Sequence, residues 1–94
     1  MAKLTADEAR KQVEQLKGWT LDGDRIRKEY AFGSFREAVS FVVRLAFEAE
    51  AADHHPDIAI SYRKVTLVYS THSAGGLTEK DFAGAQAADR IAWV

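Results

Sequence analysis

Cysteine is absent from the chain. That removes disulfides, thiolate nucleophiles and every zinc site built on sulfur, leaving histidine, carboxylates and hydroxyls to carry any chemistry. A single proline, Pro56, and six scattered glycines serve as punctuation; there is no linker, low-complexity stretch or internal repeat. No run approaches the roughly 20 apolar residues that span a bilayer. The opening Met-Ala-Lys-Leu-Thr-Ala-Asp-Glu is polar rather than signal-like, so a cytoplasmic protein without membrane contact is expected. An excess of one charge is lacking too: 13 basic against 14 acidic side chains give a net charge of −1, without the surplus that neutralising nucleic-acid phosphates requires. The one basic cluster, Arg25, Arg27 and Lys28, alternates between the faces of a strand and runs into Glu29, which reads as a solvated strand.

What is present suits a single compact domain spanning residues 1–94, with 47% hydrophobic residues and enough chain for one core. Three segments open alike. Thr5 precedes Glu8 by three residues, and Ser34 precedes Glu37 in the same way; both match the reciprocal capping box. Thr78 and Asp81 form an acidic variant whose shorter side chain is expected to reach back less well. The first helix turns Ala9, Val13 and Leu16 inward and is expected to stop at Lys17-Gly18, whereas the third buries Phe82, Ala85, Ala88 and Ile91 or Ala92. Between the first two helices, Asp22-Gly23-Asp24 signals a hairpin, with Ile26, Tyr30 and Phe32 on one face. After the second helix, Ile58, Ile60 and Tyr62, then Val65, Leu67 and Tyr69, alternate about a turn near Arg63-Lys64. The order α-β-β-α-β-β-α predicts an α+β fold, a four-stranded antiparallel sheet with three helices packed on one face.

The second helix is apolar over an arc of very roughly 240°, far more than one sheet face needs. The surplus points to a second buried contact, most simply another subunit of a homo-oligomer, with Phe41 and Leu45 as candidates for that contact. Glu50 and Asp53 fall inside the apolar arc, where a carboxylate needs a partner, and Glu50 stands four residues before His54.

Pro56 forces the chain out of the helix at His55, leaving His54 and His55 at the helix C-terminus. Pairing the last two strands through Arg63-Lys64 brings residue 72 opposite approximately residue 55, so the hairpin gathers His54, His55 and His72. Histidine suits acid/base work because an unperturbed imidazole both gives and takes a proton near neutrality. Two bland or rival readings stand beside it: simple capping of the helix end, and a zinc site, although adjacent histidines lack the spacing of helical zinc motifs. Ser70, Thr71 and Ser73 lack a nucleophile elbow, and Gly75-Gly76 lacks phosphate-loop spacing.

The segment Asp53-His54-His55-Pro56-Asp57, followed by Thr71-His72 and then by Gly75-Gly76-Leu77-Thr78 and Asp81, resembles the pterin-4a-carbinolamine dehydratases. The resemblance implies dehydration of 4a-hydroxytetrahydropterin to quinonoid dihydropterin, with no metal and no organic cofactor, in the cycle that serves aromatic amino-acid hydroxylases. It assigns His54 and His72 to proton transfer and His55 to binding the pterin. Glu50 becomes an orienting carboxylate, and Asp53, Pro56 and Thr71 join the substrate site. Many members carry tryptophan where this chain has Ile58. The competing readings are a non-catalytic module that binds protein through the broad apolar helix, and a metal-dependent hydrolase.

Overall fold

The computed structural model describes residues 2–92, arranged as α1 (Ala6–Glu14), β1 (Thr20–Asp22), β2 (Arg25–Ala31), α2 (Phe35–Ala52), β3 (Asp57–Ser61), β4 (Lys64–Tyr69), a 3-10 turn (His72–Ala74) and α3 (Glu79–Ile91). The strands form one antiparallel sheet in the order β1-β2-β4-β3. The expected α+β architecture is therefore the observed one.

Capping starts all three helices, but not quite as the spacing suggested. Thr5 and Glu8 exchange both bonds of the box, at 2.8 and 3.1 Å. Ser34 accepts from the Glu37 N–H at 3.2 Å, yet the Glu37 carboxylate turns to the Gly33 N–H at 2.9 Å, so this box stays half made. Asp81, the short variant, does reach back, accepting from the Thr78 N–H at 2.9 Å. α1 ends at Glu14, before Lys17-Gly18; Leu16 closes a turn on the Val13 carbonyl, and Gly18, at φ 86°, makes the left-handed reversal into β1.

The alternation read in the strands places Ile26 and Tyr30 of β2 and Val65, Leu67 and Tyr69 of β4 on the buried face, beneath Phe41 and Leu45 of α2 and Phe82 of α3. Each such side chain contributes about 1.5–3 kcal/mol by burial. Phe41 and Leu45 are 0% and 1% exposed, so they belong to the core and not to a subunit contact. Periodicity alone does not say which half of the apolar arc meets the sheet. The half left in solvent carries Phe35, Val43 and Phe47, exposed by 52%, 51% and 74%. Gly84 lets α3 settle on the sheet, since a Cβ there would stand 2.6 Å from the Tyr69 ring.

At its other end α3 is fastened by Asp89, which accepts from Trp19 Nε1 at 3.1 Å, from Lys28 Nζ at 2.9 Å and from the Tyr30 hydroxyl. Edge strand β3 is less well covered. Ile58 and Ile60 pair with Leu67 and Val65, hence face the helix side, yet they remain 40% and 41% exposed.

Burial, aided by the Asp81 carboxylate, pushes the Tyr69 hydroxyl up to about 12, and burial with the Asp89 hydrogen bond pushes Tyr30 up as well. A phenol whose folded pKa exceeds its unfolded value of about 10 supports the fold fully below that pH and loses its contribution as pH rises through the folded value. The urea midpoint should therefore fall between about pH 10 and 12. Tyr69→Phe should make that fall shallower, which equilibrium unfolding at stepped pH measures.

Candidate active site

α2 ends in a left-handed cap formed without glycine. Asp53 takes φ 51°, its N–H bonds the Glu50 carbonyl at 3.2 Å, and the His54 N–H reaches the Ala49 carbonyl at 3.1 Å. A short polar side chain tolerates that conformation better than most. Pro56 then holds the chain extended into β3. Because successive residues on an extended chain point to opposite sides, His54 turns toward the helices and His55 toward the open face of the sheet.

The β3–β4 register pairs Asp57 with Val68. Carried two residues further, it sets His55 beside Ser70, so residue 72 falls two positions beyond the place that strand counting gives it. The strand stops before then. Thr71 and Gly76 bond each other at 3.0 and 3.3 Å, pinching off a loop whose 3-10 turn carries His72 and whose Gly75 sits at φ 73°. This loop returns His72 to the open face.

Two cavities result. One, of about 200 Å³, lies at the end of the open sheet face and is lined by Asp24, Arg25, His55, Asp57, Val68, Ser70, His72 and the Gly75-Gly76 backbone. The other, of about 240 Å³, lies between α2 and α3, with alanines and Gly84 for walls, His54 and Tyr69 within, and Glu48, Lys80 and Arg90 among its lining residues. The expected gathering of three histidines is thus realised for His55 and His72, while His54 lines the opposite cavity.

Glu50 differs from expectation as well. It is 77% exposed and stands 3.5 Å from His55 Nε2, not against His54. The left-handed residue at 53 breaks the helical i, i+4 relation that would have joined Glu50 to His54. Asp53 is exposed and acts through its backbone, and Pro56 is half-buried. Thr71 is buried in a polar network behind the cleft.

The centre of that network is Asp81, which the sequence offers as a helix cap and as part of the family motif but not as a site residue. Its side chain is fully buried. Oδ1 accepts from His54 Nε2–H at 2.6 Å; Oδ2 accepts from Thr71 Oγ1 at 2.7 Å and from the Thr78 N–H at 2.9 Å. With its proton committed to Asp81, Thr71 accepts from Thr78 Oγ1 at 2.9 Å, and Thr78 Oγ1 accepts from the Lys80 N–H at 3.3 Å. The carboxylate fixes the His54 tautomer, with Nε2 protonated and Nδ1 the acceptor of the neutral ring. His54 also stacks on Tyr69, ring centroids 5.9 Å apart at 20°. A readable signal existed: an aspartate in place of glutamate at the third helical position, following a Thr-His pair. Among the described residues no group of three or more His, Asp or Glu side chains is arranged to hold a metal ion.

Replacing Asp81 by alanine leaves His54, Thr71 and the Thr78 N–H without their shared acceptor. Stability should fall by about 3–5 kcal/mol, read as a lowered urea midpoint.

The residues from 2 to 91 match the family model for pterin 4 alpha carbinolamine dehydratase. Among proteins that carry the pterin-4-alpha-carbinolamine dehydratase name, one from Roseiflexus castenholzii is 54% identical over 92 residues, covering 97% of this chain and 99% of the relative. One from Opitutus terrae is 49% identical over 92 residues, covering 97% and 95%. A crystal structure of a transcriptional coactivator/pterin dehydratase from Brucella melitensis superposes with a TM-score of 0.91 at 35% identity, covering 96% of this chain and 98% of that one. A pterin dehydratase-like RuBisCO assembly factor of the alpha-carboxysome superposes with a TM-score of 0.70 at 26% identity, covering 83% and 93%. With a match that runs through every helix and strand and through the loop bearing His72, the chain belongs to the pterin-4a-carbinolamine dehydratase family.

Proposed function

We propose that the protein is a hydro-lyase that removes water from a 4a-hydroxytetrahydropterin to give quinonoid dihydropterin, in tetrahydropterin recycling, with histidine as acid and base and no metal or organic cofactor. The observation that carries this reading is the polar cleft shared by His55 and His72, in a chain matched by the family over nearly its full length. The reaction needs one group to protonate the departing 4a-hydroxyl and another to take the N5 proton as the N5 electron pair closes the C4a=N5 bond. Two imidazoles in one cleft meet that need. Glu50, 3.5 Å from His55, suits an orienting role for that ring.

The resemblance placed His54 in proton transfer and His55 in binding. The separation of the cavities supports a different division: His55 and His72 act on the substrate, and His54, tied to Asp81, positions the chain behind them. In this scheme Thr71 and Asp53 position through the Asp81 network and the helix cap, and Pro56 sets the direction of the strand.

Dehydration of 4a-hydroxytetrahydropterin at neutral pH should be accelerated by wild type in the presence of a chelator. It should slow by about 100-fold or more in His72→Ala and in His55→Ala. Near-normal turnover in both variants would remove these residues from the mechanism, and loss of wild-type turnover with chelator would favour a metal-dependent reaction.

The same protein is proposed to be a homo-oligomer. Phe35, Val43 and Phe47 leave an apolar stripe on α2, and the β3 edge exposes Ile58 and Ile60. The alternative reading, a protein-binding module without activity, uses the same stripe and is favoured by the likeness to a RuBisCO assembly factor. Phe47→Glu should leave a folded chain of lower mass by light scattering; unchanged mass would take Phe47 out of the subunit contact.

A further inference from the structure

We propose that Asp57 is the residue that selects a 2-amino-4-oxo pterin ring, gripping its amino and N3–H donors while His55 and His72 face the reacting edge. This rests on the dehydratase reading for the orientation of the ring, though not for the recognition itself. The amino group and N3–H of a pterin are two parallel donors, and the side chain that matches them is a carboxylate, whose two oxygens accept side by side.

The cleft offers two carboxylates. Asp24 is 3.7 Å from Arg25 Nε, whereas the Asp57 side chain has no hydrogen bond or ion pair with any described residue. The remaining polar groups are committed or of the wrong kind. The Ser70 hydroxyl donates to the Asp24 carbonyl at 2.8 Å, the Gly75 and Gly76 N–H groups bond the His72 and Thr71 carbonyls, and Arg25 only donates.

Position supports the same assignment. Asp57 lies directly across from Val68, and His55, two residues earlier, points to the same open face. Two residues of extended chain span roughly 7 Å. Both side chains therefore rise from one face into the same cleft, close enough to meet different edges of one ligand. Val68, half-buried in the cleft floor, supplies an apolar surface for the ring face. Because the Asp57 carboxylate is exposed and bonds nothing else in the fold, replacement by the isosteric asparagine should leave folding intact.

The test is equilibrium binding of 7,8-dihydrobiopterin and of its 2,4-dioxo counterpart, a dihydrolumazine, to wild type and to Asp57→Asn, with thermal unfolding as the check on the fold. Wild type should prefer the 2-amino ring by about 10-fold or more. Asp57→Asn should bring that ratio close to one or reverse it, because an amide can accept from N3–H and donate to a 2-oxo group. A wild type without the preference, or an Asp57→Asn variant that keeps it, overturns the proposal. Binding with an Asp57-dependent preference but no dehydration would uphold this assignment and overturn the proposed activity.

Discussion

A single buried carboxylate organises the end of this molecule that holds the candidate site. Asp81 stands in the first turn of α3, yet it receives bonds from His54 just before β3 and from Thr71 just after β4, as well as from its own helix cap. Three segments far apart in the chain are thereby fixed to one point. Its neighbours complete the arrangement: His55 follows His54, and His72 follows Thr71. The two histidines proposed to handle the substrate are therefore each one residue away from a side chain held by Asp81. A carboxylate outside the lining of the cleft can in this way set the mutual placement of both imidazoles, and the low dielectric around it makes its bonds stronger than they would be in water.

Asp89 does the corresponding work at the far end of the same helix. It collects Trp19, Lys28 and Tyr30 from the first half of the sheet, and the two aspartates together pin α3 at both ends. Between them the helix comes close enough to the sheet that Gly84 cannot carry a side chain without moving Tyr69. Tyr69 is in turn the aromatic surface on which His54 rests. Core packing and site geometry are consequently the same problem here, and a change in the seating of α3 reaches His54 through two routes.

The outer surfaces are a separate matter. The α2 stripe and the β3 edge lie apart from the cleft, and solved proteins of this fold are described both as a pterin dehydratase and as an assembly factor. The scaffold fixes where helices and strands lie, while the proposed activity would rest on the few side chains at the sheet end.

Much of this was legible in the sequence. Alternation in Ile26–Phe32 and Val65–Tyr69, the caps at Thr5, Ser34 and Thr78, and the Asp22-Gly23-Asp24 turn determine local conformation within a few residues, so the element order and sheet type followed from them. The histidine motif likewise identified the family. Tertiary structure alone decided which half of α2 is core, because an arc apolar over most of its circumference has no preferred side until a sheet is placed against it. It alone split His54 from His55, since the left-handed turn at Asp53 and the extended chain after it set their directions. It also gave Asp81 its role. A cap is read from residues three apart, whereas the partners that matter, His54 and Thr71, lie 27 and 10 residues away and meet it only when strands and helix are assembled.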